Sequence, residues 1–352
     1  MCQVLAIADD MTGALEVGAK LSQLGSSVTT DMNFTFSRER NVVVIDTETR
    51  HVPGEEAAAK IYQIAQAARA LEIEIVYKKT DSTLRGNVGP EIRALARAYP
   101  EKSIVFLPAY PMLGRTVRQG HLLVDGEPVH RSAFAHDALN PVGTSYVLDV
   151  LAEGELSPAP GRLEPGHVRV FDSETEADVA AVIKLALAES PLPVFCGPGS
   201  VARHLAAALG CSEALPDRTI VETAIVVNGS RHEIARRQIE HALRCGWPIL
   251  SAGQAATSGW TILATDGPAE RTAAMVCDVL ARKPVDCLVV FGGDTAYAIL
   301  QSLRKSTVIP VGELFPGIPL SRAGELQLVT KAGGFGPVDL LCKIRDILSG
   351  GR

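Results

Sequence analysis

The chain has no stretch approaching the roughly 18 uninterrupted apolar residues of a membrane-spanning helix, and its first residues, Met1 to Asp10, hold only a short apolar run without signal-like character. A soluble protein without a membrane partner is expected. There is no basic block and no run of aromatics interleaved with bases. With a net charge of −6 and a pI near 5.8, nothing electrostatic argues for a nucleic-acid partner. Seven cysteines lie scattered at 2, 196, 211, 245, 277, 287 and 342 without a CxxC pair, and their odd number favours a reducing cytoplasm over a disulfide framework. Three catalytic signatures are also missing. No GxxxxGK[ST] is present, which argues against a P-loop. The eight histidines show neither HExxH nor HxH spacing, and His121, His130 and His136 fall in an expected loop, so a zinc site is not anticipated. No GxSxG elbow supports a hydrolase of that type. Internal repeats and low-complexity tracts are absent too.

What is present is length and a regular pattern. At 352 residues and 47% hydrophobic, the chain can build two domains, each with its own core. Short apolar runs at Val4–Ala8, Val42–Ile45, Ile73–Tyr77, Ser103–Leu107, His167–Phe171 and Pro193–Cys196 alternate with helical segments at 12–24, 54–73, 87–99, 178–189 and 200–209. The alternation resumes after a Pro216-Asp217 turn with strands at Ala224–Val227, Pro248–Ser251 and Cys287–Phe291 and helices at 232–244, 269–282, 295–303 and 337–348. This predicts an α/β protein of two domains, 1–215 and 216–352, with mostly parallel sheets flanked by helices and an active site in an interdomain cleft. Between Pro108 and Val142 the pattern dissolves into Pro, Gly, Arg and His over a length that is often functional. Glu153 to Gly166 reads as a solvent-exposed excursion.

Polar residues crowd the strand ends, where open α/β sheets bind ligands. The densest group is Lys78-Lys79-Thr80-Asp81-Ser82-Thr83-Leu84-Arg85-Gly86, read as a strand-to-helix turn that is either a binding site or a capped turn with a surface ion pair. The first strand ends in Ile7-Ala8-Asp9-Asp10-Met11-Thr12-Gly13. One carboxylate there could face a ligand hydroxyl while the other caps the next helix, or either is only an N-cap. Gly292-Gly293-Asp294-Thr295 and Lys331-Ala332-Gly333-Gly334-Phe335-Gly336 both precede helices, and Asn228-Gly229-Ser230 repeats the theme. Flexible backbone, free helix amides and a lysine suit a nucleotide phosphate, with ordinary tight turns as the alternative. Gly197-Pro198-Gly199-Ser200-Val201-Ala202 fits G-x-G-x-x-A, with Glu222 as the ribose acid, but a plain helix start ranks above this fingerprint.

Taken together and in order, IADDMTG at 7–13, DTETR at 46–50, KKTDSTLRGNVGPEI at 78–92, PAYPMLGRTVRQGHLLVDGEPV at 108–129, GGDTA at 292–296 and KAGGFG at 331–336 resemble the four-carbon acid sugar kinases across both domains. The resemblance implies a cytoplasmic, carbohydrate-metabolising transferase. It would use ATP and Mg2+ to phosphorylate the terminal hydroxyl of a four-carbon acid of threonate, erythronate or 3-oxo-tetronate type. It further implies that Asp9, Asp10, Arg50, Asp81, Ser82, Thr83, Leu84 and Arg85 form the sugar-acid site, with Asp10 and Arg85 in the chemistry and the two arginines forking the substrate carboxylate. Ser230, Gly292, Gly293, Asp294, Thr295, Lys331, Gly333 and Gly334 would hold the nucleotide. Metal ligands are unassigned, with Asp294 as candidate, and a homo-oligomer is compatible with the sequence. The family's Gly-Ser-x-Ser-Pro element is here Gly229-Ser230-Arg231-His232-Glu233, and the segment from about Ile249 to Asp286 looks abbreviated. A non-catalytic sugar-acid-binding or effector protein retaining the kinase fold is therefore the alternative, and a dehydrogenase using the Gly197 turn ranks third.

Overall fold

The computed structural model describes all residues except 1–2, 33, 37–40, 138, 153–154, 158–166, 213–215, 252, 257, 266 and 351–352. Contacts divide the chain into two compact units, one of Met1–Val17 with Thr30–Ser212 and the other of Gly18–Thr29 with Glu213–Arg352.

In chain order the first part comprises β1 (Val4–Ala8), α1 (Met11–Lys20), β2 (Ser26–Thr29), β3 (Val42–Asp46), α2 (Gly54–Ala70), β4 (Ile75–Lys79), α3 (Val88–Ala98) and β5 (Ile104–Phe106). There follow β6 (Arg115–Arg118), β7 (His121–Val124), β8 (Glu127–Pro128), α4 (Val147–Leu151), β9 (Glu155–Ser157), β10 (Val168–Phe171), α5 (Glu176–Ala186), β11 (Val194–Gly197) and α6 (Gly199–Ala208). The strands of the first unit run in the order β3-β1-β4-β11-β5-β10-β9, all parallel. Every residue of β1, β3 and β4 is buried, which is why these strands read as continuous apolar runs rather than alternating ones. Helix α2 buries Ala57, Ile61, Ile64, Ala65 and Ala68 at helical spacing, and it packs against α3.

The second unit continues with β12 (Thr223–Asn228), α7 (Glu233–Arg244), β13 (Ile249–Leu250), β14 (Gly259–Leu263), α8 (Ala269–Arg282), β15 (Cys287–Phe291), α9 (Gly293–Ser302), β16 (Thr307–Phe315), β17 (Ile318–Ala323), β18 (Leu326–Lys331) and α10 (Leu340–Leu348). Its strands lie in the order β13-β14-β12-β15-β18-β17-β16-β2, parallel as far as β18 and antiparallel beyond. Trp247, Trp260, Phe291, Leu320, Leu341 and Ile344 are among its core residues.

The structure corrects or extends the sequence pattern in four places. Lys78 and Lys79 belong to β4, not to the turn after it, so the strand carries two buried ammonium groups. The 108–142 stretch is not structureless: β6, β7 and β8 form a three-stranded antiparallel sheet. His121 accordingly opens a strand, while His130 and His136 lie in 3-10 turns. The β16–β18 meander also escaped the pattern, because β16 alternates exposed and buried residues in the manner of a one-sided antiparallel strand. Of the excursion expected at 153–166, only Glu155–Ser157 is among the described residues, and it is a strand paired with β10.

Candidate functional site

The first unit gathers an ionic cluster at the carboxyl ends of β1, β3 and β4. The chain leaving β3 is tied back onto β1: Thr47 N donates to Ala8 O, and Thr49 N and Arg50 N both donate to Asp9 O. This places Arg50 across the end of β1. Its Nε donates to Asp9 Oδ2 at 2.6 Å and its Nη1 to Asp10 Oδ2 at 2.8 Å, while Nη2 lies 3.8 Å from Asp81 Oδ1. Burial alone would raise the Asp9 carboxyl, but the charges of Arg50, Lys78 and Lys79 together hold it below its ordinary value. One Asp9 oxygen, Oδ1, is buried without a hydrogen-bond partner among the described residues, as are Thr12 Oγ1 and Thr80 Oγ1. Unsatisfied polar atoms at neighbouring strand ends are what a polar ligand would complete.

Asp10 has two tasks. Its Oδ1 accepts from Gly13 N at 2.9 Å, the geometry of an N-cap for α1, and its Oδ2 meets Arg50. Gly13 has no room for a side chain, since a Cβ there would fall 2.7 Å from Asp10 Oδ1 and 2.8 Å from Lys79 Nζ. The DSTLRG turn is organised by Asp81, whose Oδ2 accepts from Thr83 N, Thr83 Oγ1 and Arg85 Nε, and whose Oδ1 accepts from Arg85 Nη2 at 2.8 Å. Burial would raise Asp81, but Arg85 and Arg50, with these hydrogen bonds, hold it well below the usual carboxylate range. Leu84 adopts a left-handed φ of 65°, and Gly86 a φ of 82° that brings it against Arg50. Arg85 also donates to Asp137 and stacks over Phe134. Neither Ser82 nor Thr83 caps α3, contrary to the capped-turn alternative. Asn87 occupies that position and donates to the carbonyls of Thr49 and Val52.

Sequence reasoning passed over several members of this cluster. Lys78 Nζ pairs with Glu91 Oε2 at 2.9 Å, both fully buried, and Thr49 Oγ1 donates to Glu91 Oε1. Burial raises the Glu91 carboxyl against the pull of Lys78. A signal for Glu91 existed, because it interrupts the apolar stripe Val88, Ile92, Leu95 of α3. Asp46, at the end of β3, is pushed well above its ordinary value by burial and by the charges of Glu48 and Asp10. Glu16 accepts from Tyr110 OH and lies 3.9 Å from Lys79.

The second unit brings three glycine turns to one sheet edge. Asn228 is in register with Phe291, and Phe291 with Lys331, so the turns after β12, β15 and β18 begin level with one another. Gly229 N donates to Phe291 O, and Gly292 N to Lys331 O. Hydroxyl side chains fill the space beside these glycines: a Cβ on Gly229 would lie 1.8 Å from Thr295 Oγ1, and one on Gly333 would lie 1.9 Å from Ser230 Oγ. Gly292, with a φ of 103°, is the N-cap of α9 and provides no side-chain cap. Asp294 is exposed in the first turn of α9, and Thr295 is buried.

Lys331 is fully buried, with Nζ 4.1 Å from the Phe291 ring centroid and donating to Gly333 O at 2.9 Å. Among the described residues no carboxylate lies within ion-pair distance of it, and burial pulls its ammonium down to about 7. His232 stands where the family pattern has its second serine. It caps α7, accepting from Ile234 N through Nδ1. The G-x-G-x-x-A alternative loses its ligand space, since a Cβ on Gly197 would meet Leu107 O at 2.3 Å and one on Gly199 would meet Glu16 Oε1 at 2.0 Å. Glu222, its would-be ribose acid, is exposed in the other unit.

A family profile describing a sugar-binding N-terminal domain matches residues 4–160, and one describing a nucleotide-binding C-terminal domain matches 263–341. The chain is 28% identical to a D-threonate kinase of Salmonella typhimurium, with 97% of each chain covered. It is 26% identical to a D-erythronate kinase of Heliobacterium modesticaldum, covering 99% of this chain and 97% of that one. The first alignment extends over 414 positions against 352 residues here, so that relative carries internal residues without counterparts in this chain. A solved Salmonella typhimurium structure, 22% identical, shares the fold with a TM-score of 0.81 over 99% of this chain and all of its own. No helix among the described residues is long and apolar enough to cross a membrane. With the two domain profiles matched in order and kinase relatives along nearly all of its length, the chain belongs to the four-carbon acid sugar kinase family.

Proposed function

We propose that the protein is a cytoplasmic, ATP-dependent kinase that phosphorylates the terminal hydroxyl of a four-carbon sugar acid of threonate, erythronate or 3-oxo-tetronate type. The observation that carries the reading is Lys331: a buried lysine with no carboxylate partner among the described residues, at the junction of three register-aligned glycine turns, is suited to the polyanionic tail of a nucleotide. Ser230, Gly292, Gly293, Thr295, Gly333 and Gly334 supply the surrounding backbone and hydroxyls. Mg2+ bound with the nucleotide would neutralise phosphate charge, and the exposed Asp294 is the carboxylate offered to it.

In the first unit, Asp10 orients the acceptor hydroxyl and takes its proton as the oxygen attacks. Arg50 is already bound to acidic side chains, so its task in this reading is to position Asp9 and Asp10. Arg85, more exposed than Arg50, is held by Asp81 through Nε and Nη2, and its Nη1, which meets Asp137, is the edge offered to a substrate carboxylate. Phosphoryl transfer relies mainly on positioning and charge neutralisation, which a preorganised ionic cluster provides.

The direct test is a coupled ADP-release assay with Mg-ATP against a panel of four-carbon sugar acids. Turnover on at least one acid, with the phosphate found on its terminal oxygen, is the expected result. ATP binding without turnover on any acid would favour the non-catalytic alternative.

Lys331 supplies a second prediction. Its folded value of about 7 lies below that of an unfolded lysine, so the unfolded chain holds the extra proton between about 7 and the ordinary lysine range. Stability should therefore rise with pH across that window, and Lys331→Met should flatten the rise. Phosphate binding favours the ammonium, so ATP binding at pH 8 should take up a proton, measurable by calorimetry in buffers of different ionisation enthalpy. Lys331→Met should abolish the uptake and weaken ATP by about 1.5–3 kcal/mol. Unchanged affinity would remove Lys331 from the nucleotide site.

A further inference from the structure

On the second unit, away from the glycine turns in sequence, α7 and α10 bring together the side chains of His241, Cys245 and Cys342. The spacing on α7 accounts for half of this. Gln238, His241, Ala242 and Cys245 stand at i, i+3, i+4 and i+7, which is one helix face. Gln238 and Ala242 are fully buried there, and the Gln238 amide donates to the carbonyls of Phe335, Gly336 and Pro337 on the approach to α10. That face is thus turned toward α10, and Cys342, on the second residue pair of α10, meets it half-buried beside the core.

The donor atoms of the three residues all lie within 4.8 Å of one another, and His241 Nε2 is 3.6 Å from Cys245 Sγ. Ligand atoms around a tetrahedral zinc, with bonds near 2.3 Å to sulfur and 2.0 Å to nitrogen, are about 3.5–3.8 Å apart. We propose that His241, Cys245 and Cys342 form a binding site for a soft divalent cation, Zn2+ foremost, that ties the C-terminal helix α10 to α7.

Two thiolates would neutralise the ion and one neutral imidazole would complete the protein's share, so binding releases two thiol protons for each ion held. Cys245 is exposed, which leaves the fourth position to water. Burial and the neighbouring Cys245 push the Cys342 thiol up, with Arg345, one turn beyond it and over the Trp247 ring at 5.5 Å, pulling the other way, so the ion itself would drive the loss of the thiol protons. His241 and Cys245 share an i, i+4 helical spacing, but Cys342 lies 97 residues beyond Cys245, so no contiguous motif marks the group.

The test is spectroscopic and independent of kinase activity. Full-length protein, reduced and stripped of metal, is titrated with Co2+. The expected result is a sulfur-to-cobalt charge-transfer band with the visible bands of a tetrahedral site, saturating at one equivalent and bleached by Zn2+. Emission from Trp247, two residues beyond Cys245, should be quenched in step. Cys245→Ser and Cys342→Ser should each weaken Co2+ at least about 10-fold, on the scale of losing a metal-site partner, whereas Cys277→Ser on α8 should leave the titration unchanged. Should a serine variant fail to fold, mass spectrometry of the wild-type chain gives the same answer: Zn2+ should protect Cys245 and Cys342 from alkylation and leave Cys277 reactive as before. Absence of the charge-transfer band, its survival in the doubly substituted chain, or alkylation indifferent to Zn2+ would overturn the proposal.

Discussion

Replacing Arg50 with methionine is expected to destabilise the protein by about 3–5 kcal/mol at neutral pH, the range found when one partner of a buried ion pair is removed. The side chain is only 11% exposed and neutralises Asp9 and Asp10 directly, with Asp81 within 4 Å. Methionine fills much of the space but leaves those carboxylates facing one another in a poorly solvated site. The sign of the pH dependence follows from the shifts. Asp9 and Asp81 are depressed in the folded state, so their contribution is present above the ordinary carboxylate value and is lost as pH falls through the folded ones. Without Arg50 that depression weakens, and the deficit of the variant relative to wild type should be largest near pH 7 and smaller near pH 4. Urea unfolding at both pH values measures it. A loss below about 1 kcal/mol, the scale of an exposed pair, or one that does not shrink on acidification, would mean that Lys78, Lys79 and Arg85 neutralise the cluster unaided.

Asp10→Asn should lower kcat by about 10²–10⁴-fold, the usual worth of a positioned general base. The substitution separates the two tasks of the side chain. Asparagine is as good an N-cap as aspartate, so the bond from Gly13 N can be kept. Its amide can no longer satisfy Arg50 Nη1 as a carboxylate does, which should cost about 1–2 kcal/mol of stability. Nucleotide affinity should be unchanged, because the Asp10 side chain bonds Gly13 N and Arg50 Nη1 and, among the described residues, no group of the glycine turns. A residue serving only as cap and ion-pair partner would lower stability while leaving the kcat of the folded enzyme within a few-fold of wild type, and that outcome would move the proton-accepting role to another carboxylate.

The two clusters were unequally legible beforehand. Glycine pairs after apolar strands announce the nucleotide turns locally, because a tight strand-to-helix turn and a close backbone approach both demand glycine. The acidic and basic residues at the ends of β1, β3 and β4 were equally visible, but their partnerships were not. Arg50 suggested a free fork for a substrate, yet its strongest contacts are to Asp9 and Asp10, some forty residues earlier. Asp81 holds its own turn together, and Glu91 sits on what looks like an ordinary apolar helix face. Residue type states what a side chain can bind; only its neighbours decide what it does bind.

The densest polar stretch, Lys78 to Gly86, shows the division most clearly. Sequence alone determined the strand-helix alternation, the two units' α/β character and the placement of polar motifs at strand ends, since periodicity and glycine or aspartate punctuation act over a few residues. Tertiary structure decided that its two lysines are buried inside β4, that its aspartate and arginine bind each other, and that Arg50 and Glu91 complete its ion pairs. It likewise decided that Lys331 lacks a carboxylate partner among the described residues and that His241, Cys245 and Cys342 meet. These outcomes depend on burial and on register between strands and helices distant in the chain, where charge and solvation energies are set by surroundings that no local pattern encodes.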